Sequence, residues 1–212
     1  MVKDIFFPIV HQIRLSRFRK NWRRNNSHNQ TLPNNIFPIE KVKVGRFTYG
    51  ELNIKSYGNE DCLLTIGDFC SIAGDVVFVL DGEHNYRRFS SYPFPAKVFH
   101  EKNDSGCRGP IIVEDDVWIG YRATILSGAH LGKGCVIGAG TTVRGDIPPY
   151  SIYVDGEIMK YRFEDELITD LLKFDFSALD KKKLVRLKEY CFKELTKRDI
   201  SALMSIMNDS NN

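Results

Sequence analysis

From Val113 onward an aliphatic residue returns every six positions, at Val113, Ile119, Ile125, Leu131, Ile137 and Val143. Glycine follows three of them, at Gly120, Gly132 and Gly138, and four places after each aliphatic stand Val117, Ala123, Ala129, Cys135 and Thr141, with Ile147 a large exception. The same register appears upstream at Ile66-Gly67, Ile72-Ala73 and Phe78. A period of six is neither the 3.6 of a helix nor the 2 of a simple strand. It predicts a β-helix of hexapeptide repeats, each hexad one short strand and a turn. The aliphatic side chain points into a narrow triangular prism, and the small residue fits the corner beside it. Three hexads make one coil, and successive coils pair their strands about 4.8 Å apart. Cys70 and Cys135 fall on the small position, which makes them packing residues rather than nucleophiles.

The flanks follow other rules. Asp146-Ile147-Pro148-Pro149-Tyr150 is expected to end the repeat, because two prolines remove ladder donors. Beyond it, Leu167, Ile168, Leu171 and Leu172 form one apolar stripe, and Ser177-Ala178-Leu179-Asp180 fits a capping box opening a second helix through Leu184, Leu187, Cys191 and Leu195. These helices are expected to cap the prism end, and Asn208 to Asn212 to fray. The Asn-rich patch Asn25–Asn35, with Pro33, reads as a linker. Before it, Ile5, Ile9 and Ile13, then Phe18 and Trp22, recur at four-residue spacing and predict an amphipathic helix. Between Phe78 and Val113 the hexads stop for about thirty residues; a loop that long on a compact solenoid is usually functional or disordered, and its aromatic content and two prolines argue against disorder. The expected organisation is a basic helix and linker over 1–35, a β-helix domain over 36–162 carrying the loop 79–112, and a helical tail over 163–212.

Charge changes the picture at one end. The 212 residues carry a net charge of +3, but residues 1–30 hold seven basic side chains against Asp4 alone, so the remaining body is acidic. A nucleic-acid partner is not expected, since the basic face is narrow and its aromatics are not interleaved with it. The basic helix suits docking on its own oligomer or weak association with an anionic membrane surface. No apolar run approaches the ~20 residues of a membrane span, and the segment Ile5–Val10 is too short for a secretory signal. Five cysteines with no CxxC pair indicate neither a disulfide framework nor a zinc knuckle, which points to a reducing, cytoplasmic compartment.

The interrupting segment reads Asp81-Gly82-Glu83-His84-Asn85-Tyr86-Arg87-Arg88-Phe89-Ser90-Ser91-Tyr92-Pro93-Phe94. Together with Ile66–Ala73, Val117-Trp118-Ile119-Gly120 and Ile137-Gly138-Ala139-Gly140-Thr141, it resembles the xenobiotic branch of hexapeptide-repeat acyltransferases. That branch includes chloramphenicol and streptogramin O-acetyltransferases and sugar O-acetyltransferases of surface-polysaccharide biosynthesis. Ile36-Phe37-Pro38 and Val44–Gly50 look closer to the polysaccharide members. The resemblance covers about Val42 to Phe163 and implies an all-β core, a left-handed parallel β-helix with an inserted catalytic loop and C-terminal α-helices, assembled as a homotrimer. It implies acetyl-CoA as co-substrate in the groove between neighbouring prisms, with no metal, and an acceptor under the long loop.

The family's catalytic histidine falls on His84. An acceptor hydroxyl is a poor nucleophile, and a neutral imidazole can take its proton as the oxygen attacks the thioester. A backbone N–H would hold the tetrahedral oxyanion. Trp118, Tyr121, Ala139 and Gly140 match positions lining the pantetheine groove, and Tyr49, Glu83, Tyr86 and Tyr92 are candidates for the acceptor. Where the family reads Val-Thr-Lys-Asp, this chain has Val143-Arg144-Gly145-Asp146, and the following Gly-Asn-Pro-Ala-Lys is lost in Val154–Lys160. Arg144 and Lys160, with Arg162, are therefore the candidates for the coenzyme phosphates. The function so implied is transfer of an acetyl group to a hydroxyl of a sugar or polysaccharide precursor. The alternatives are an antibiotic O-acetyltransferase and a degenerate β-helix that binds without catalysing. A metal scaffold built on His84, His100 and His130 lacks paired ligand spacing.

Overall fold

The computed structural model describes residues 2–102 and 105–208, with side chains from Pro8 to Met207. In chain order the first unit, residues 1–160, holds helix α1 (Val2–Asn25) and strands β1 (Gln30–Pro33), β2 (Val42–Val44), β3 (Tyr49–Lys55), β4 (Leu64–Ile66), β5 (Ser71–Ile72) and β6 (Val77–Val79). A short helix α2 (Phe94–Lys97) lies in the interrupting loop. Then come β7 (Ile111–Val113), β8 (Trp118–Ile119), β9 (Thr124–Leu126), β10 (His130–Leu131), β11 (Val136–Ile137), β12 (Thr142–Val143), β13 (Asp146–Ile147), β14 (Ser151–Val154) and β15 (Glu157–Tyr161).

The strands pair in parallel on three faces. One face stacks β2, β4, β7, β10 and β13; a second stacks the start of β3 with β5, β8, β11 and β14; the third stacks the end of β3 with β6, β9 and β12. Register follows the hexads. Val113 pairs with Leu131 and Ile119 with Ile137, eighteen residues on in each case, which is three hexads per coil. Ile66 pairs with Val113 and Phe78 with Ile125, forty-seven residues on, so the loop inserts twenty-nine residues into one coil. The inward aliphatics from Val113 to Val143 are all buried to 1% exposure or less, which is the burial that holds the solenoid.

Corners repeat as regularly as strands. Phe47, Phe69, Asp116, Gly134 and Tyr150 occupy the same corner of successive coils, each with positive φ between 57° and 67°. The N–H of each of the last three donates to the carbonyl one coil back: Asp68, Asp115 and Lys133. A side chain costs about 1 kcal/mol or more in this left-handed conformation, and the stacked hydrogen bonds hold it there.

Several expectations change. The prolines do not end the repeat, since β14 continues the second face with Ile152 against Val136 and Tyr153 against Ile137. Pro148 and Pro149 sit in a turn between strands, where no ladder N–H is required. Ile147 is no large residue at a small corner. It pairs with Leu131, only sixteen residues away, as the inward aliphatic of a coil shortened by two residues. The stretch read as a linker contains β1, which pairs with β3. Asn29 is buried and its Oδ1 accepts from Thr31 N at 3.1 Å and Thr31 Oγ1 at 2.8 Å, so the asparagines close the first coil.

Helix α1 docks by one face. Trp22 is buried, donates from Nε1 to Thr31 Oγ1 at 3.0 Å, and meets Phe37 edge-on, as Phe18 does one turn earlier. Ile9 and Ile13 belong to a different face and are exposed, so the two apolar spacings do not make one stripe; the Ile5 side chain lies outside the described residues.

The second unit, residues 161–212, contains α3 (Asp165–Leu172), α4 (Lys181–Arg186) and α5 (Ile200–Asn208). Leu167 and Leu171 of α3 are buried. Asp180 rather than Ser177 caps α4, because its carboxylate reaches Lys183 N at 2.8 Å. The helix stops at Arg186, well short of Leu195. Residues 209–212, expected to fray, lie outside the described residues.

One further correction concerns the cysteines. Cys62 and Cys107 form a disulfide across 45 residues, so the absence of a CxxC pair did not exclude a bridge, and the cysteine argument for a reducing compartment falls. Cys70 and Cys135 are buried as packing residues. Burial pushes the Cys70 thiol up to about 12, which removes it as a thiolate nucleophile near neutral pH.

Candidate active site

The interrupting loop is fastened at its root. Asp81, directly after the last residues of the third face, is 1% exposed. Its carboxylate accepts from Ser56 Oγ at 3.1 Å, from Asn59 N at 3.2 Å and from Tyr57 N, and lies 3.9 Å from the Lys41 ammonium. Lys41 is itself buried and donates to Ser56 Oγ and the Asn59 carbonyl. A buried ion pair is tolerated only when hydrogen bonds offset its desolvation, and this one has them. Gly82 follows with φ +114°, and a Cβ there would stand 2.7 Å from the Tyr57 ring. At the other end, Glu83 and Gly106 exchange backbone hydrogen bonds, Asn59 Nδ2 donates to the Ser105 carbonyl at 2.9 Å, and Cys107 is tied to Cys62. Both ends of the loop are thus bound to the segment 56–62.

His84 emerges from this root with its ring exposed, and its Nδ1 lies 2.8 Å from the Ser91 carbonyl oxygen. A carbonyl can only accept, so Nδ1 carries the hydrogen and Nε2 of the neutral ring keeps its lone pair. Beside it, the Glu83 carboxylate accepts from Arg108 Nε at 2.8 Å. A cavity of about 780 Å³ opens here, lined among others by Tyr57, Glu83, His84, Lys97, Ser105 and Ser127. Tyr92, edge-on to Phe94, flanks His84 in an adjoining crevice. The structure therefore brings Glu83, His84 and Tyr92 together. Tyr86 stands 77% exposed and lines neither space, and Tyr49 sits on the second face, paired with Ser71. Tyr57 occupies the aromatic position in the cavity instead. The other histidines stay apart: His130 Nε2 is 2.8 Å from Glu114 Oε1, and His100 stands exposed at φ 57°.

Along the second face, Trp118 is 56% exposed and Tyr121 follows at the next corner, its hydroxyl donating to Asp75 at 3.0 Å. Gly140 N donates to the Tyr121 carbonyl at 2.7 Å, and Ala139 beside it is exposed. Trp118, Tyr121, Ala139 and Gly140 thus form one open strip on consecutive coils. Arg144 is exposed at a different corner, between β12 and β13, and Lys160 is exposed on β15. The turn that carries Arg144 is the one shortened by two residues, and Gly145 there has φ +65°. That left-handed position explains a glycine better than a lysine.

A family model described as the hexapeptide repeat of succinyl-transferase matches residues 110–144. A probable macrolide acetyltransferase of Lysinibacillus sphaericus is 37% identical over 122 residues, 53% of this chain and 68% of the relative. A chloramphenicol acetyltransferase of Klebsiella aerogenes is 33% identical over 157 residues, 64% of this chain and 74% of the relative. The chain belongs to the hexapeptide-repeat acetyltransferases. It is an acetyltransferase by that membership. A hexapeptide-repeat acetyltransferase of Vibrio cholerae O1 biovar eltor, solved with acetyl coenzyme A, is 20% identical with a TM-score of 0.49, over 68% of this chain and 78% of that one.

In this acetyltransferase the residues that sequence reasoning missed are those that hold the loop: Lys41, Tyr57, Cys62, Asp81, Ser91 and Cys107. Only the pair Asp81-Gly82 carries a local signal, as a turn dipeptide. The others act through partners distant in the chain, which no periodicity marks.

Proposed function

We propose that this acetyltransferase moves the acetyl group of acetyl-CoA to a hydroxyl of a sugar or polysaccharide precursor, with His84 as general base. One observation carries the reading: the hydrogen bond from His84 Nδ1 to the Ser91 carbonyl leaves Nε2 free to accept a proton beside a cavity. Nε2 takes the acceptor's hydroxyl proton while the oxygen bonds to the thioester carbonyl carbon. The tetrahedral oxyanion is held by a backbone N–H, then collapses, breaking the C–S bond. The departing thiolate takes the proton back from the imidazolium, leaving ester, free coenzyme and neutral His84. The strip of Trp118, Tyr121, Ala139 and Gly140 supports a place for the pantetheine arm, with Arg144 and Lys160 at the phosphates. A large apolar ring left exposed, such as Trp118, supports a groove shared between copies, and hence a homotrimer of left-handed β-helices, as the family implies. Among the described residues no helix is long and apolar enough to cross a membrane. We place the enzyme in the cytoplasm, where acetyl-CoA is held.

The polar lining of the cavity by Glu83, Lys97, Glu101, Ser105 and Ser127 supports a polyhydroxyl acceptor. The names of the macrolide and chloramphenicol relatives favour an antibiotic acceptor as the second reading. Steady-state assays with acetyl-CoA and a panel of hexoses, amino sugars, nucleotide sugars and chloramphenicol separate them. The proposal expects the highest kcat/KM for a sugar. A preference for chloramphenicol establishes the second reading, and turnover unchanged in His84→Ala removes the base.

A further inference from the structure

Among the described residues, the outward face of α1 meets no ion-pair partner and leaves its apolar side chains exposed. Phe18 and Trp22 pack on the core of the first unit, Leu15 is buried, and Arg19 and Arg23 are spent on β1 and its approach: Arg19 Nε donates to the Pro33 carbonyl at 2.7 Å, and Arg23 to the Asn29 carbonyl at 2.6 Å. At 100° per residue, Ile9, Val10 and Ile13 fall on the opposite side with Arg17, Lys20 and Arg24, and Arg14 stands at the flank. Ile9, Val10 and Ile13 are each about half exposed, and the four cations are exposed and make no ion pair among the described residues. From Pro8 to Asn25 the helix has six basic residues and no acidic one. Ser16, Arg19, Lys20, Arg23 and Arg24 also frame a shallow recess of about 460 Å³, large enough for a phosphate headgroup.

We propose that this face of α1 docks on an anionic lipid surface. Apolar side chains in the first half of the stripe enter the acyl boundary while cations in the second half meet headgroup phosphates, the arrangement of an interfacial helix. The acidic body is repelled from the same surface, so the helix sets the orientation of the enzyme on it. A second copy of the chain fits less well, because it would set one row of unpaired cations against another. A nucleic acid would use the cations but leave Ile9, Val10 and Ile13 in water.

Co-sedimentation of the full chain with phosphatidylcholine vesicles, with and without phosphatidylglycerol, tests this. The protein pellets with the anionic vesicles only, and raised salt releases it. Replacing Arg14, Arg17, Lys20 and Arg24 together by Glu lowers the partition coefficient about a hundredfold or more. Ile9→Ser with Ile13→Ser lowers it as well. Both variants keep the parent melting temperature and acetyl transfer, since none of these side chains holds the fold or lines the cavity. Equal pelleting with neutral and anionic vesicles overturns the proposal. So does full binding by the isoleucine variant, which marks a purely electrostatic polyanion site, or a change of oligomeric size in either variant by light scattering, which assigns the face to a contact between copies.

Discussion

The coils from Val113 to Val143 and the loop that interrupts them hold their shapes by different means. In the coils every sixth side chain is buried, each strand is laddered to the next, and the corners stack. In the loop no residue from Gly82 to Lys102 is buried, and order comes from a few polar and covalent ties at the root. A structure made of repeated burial is insensitive to chemistry at its surface, so the surface is free to carry a groove. A segment tied to the coils at its root places one side chain, His84, without committing it to packing. Substitutions in the coils should therefore act on stability, and those in the loop on turnover.

The sharpest test of that division is His84→Ala. It should lower kcat by about 10²–10⁴-fold, the scale of a lost general base, with the melting temperature unchanged. A variant that unfolds early would put His84 on the packing side of the comparison. Asp81→Ala probes the boundary between the two regions, because it leaves the buried Lys41 without its counter-charge. Breaking such a pair costs about 3–5 kcal/mol, and denaturant unfolding should register that loss together with a fall in kcat as the loop root loosens. If stability holds, the pair is less buried in solution than its 8% and 0% side-chain exposures state. Ile125→Ala is the matching change within the coils. It should cost about 2–5 kcal/mol of stability while the folded fraction keeps its kcat. The smallest effect expected is that of Arg144→Ala, which should raise the KM for acetyl-CoA about tenfold, a lost charged contact worth about 1.5 kcal/mol. Turnover at saturation should stay the same, the pattern of binding removed equally from ground and transition states.

The same contrast governs what could be read from the chain beforehand. Hexads are visible because prism geometry dictates one aliphatic and one small residue per turn, so three faces, the coil length and the size of the insertion follow from spacing alone. Ile147 misled because a coil two residues short shifts the register without changing residue type. Gln30–Pro33 reads as a linker because asparagine and proline mark turns, and the buried hydrogen bonds of Asn29 leave no periodic trace. Phe47, Phe69, Asp116 and Tyr150 in left-handed corners are legible only from the stacked hydrogen bonds of the folded chain. The Cys62–Cys107 bridge and the Lys41–Asp81 pair join segments 45 and 40 residues apart, beyond any local signal. His84 stood out through family resemblance, and its free Nε2 through the Ser91 carbonyl, which sequence does not reveal.

The most direct test of His84 as the base is a crystal structure of the enzyme with coenzyme A and the best acceptor from the panel. The account expects the reactive hydroxyl within about 2.6–3.2 Å of His84 Nε2, with Nδ1 still on the Ser91 carbonyl and the thiol end of the coenzyme on the far side of the hydroxyl. An acceptor hydroxyl that instead meets Glu83 or Tyr92, with Nε2 turned to solvent, would contradict it.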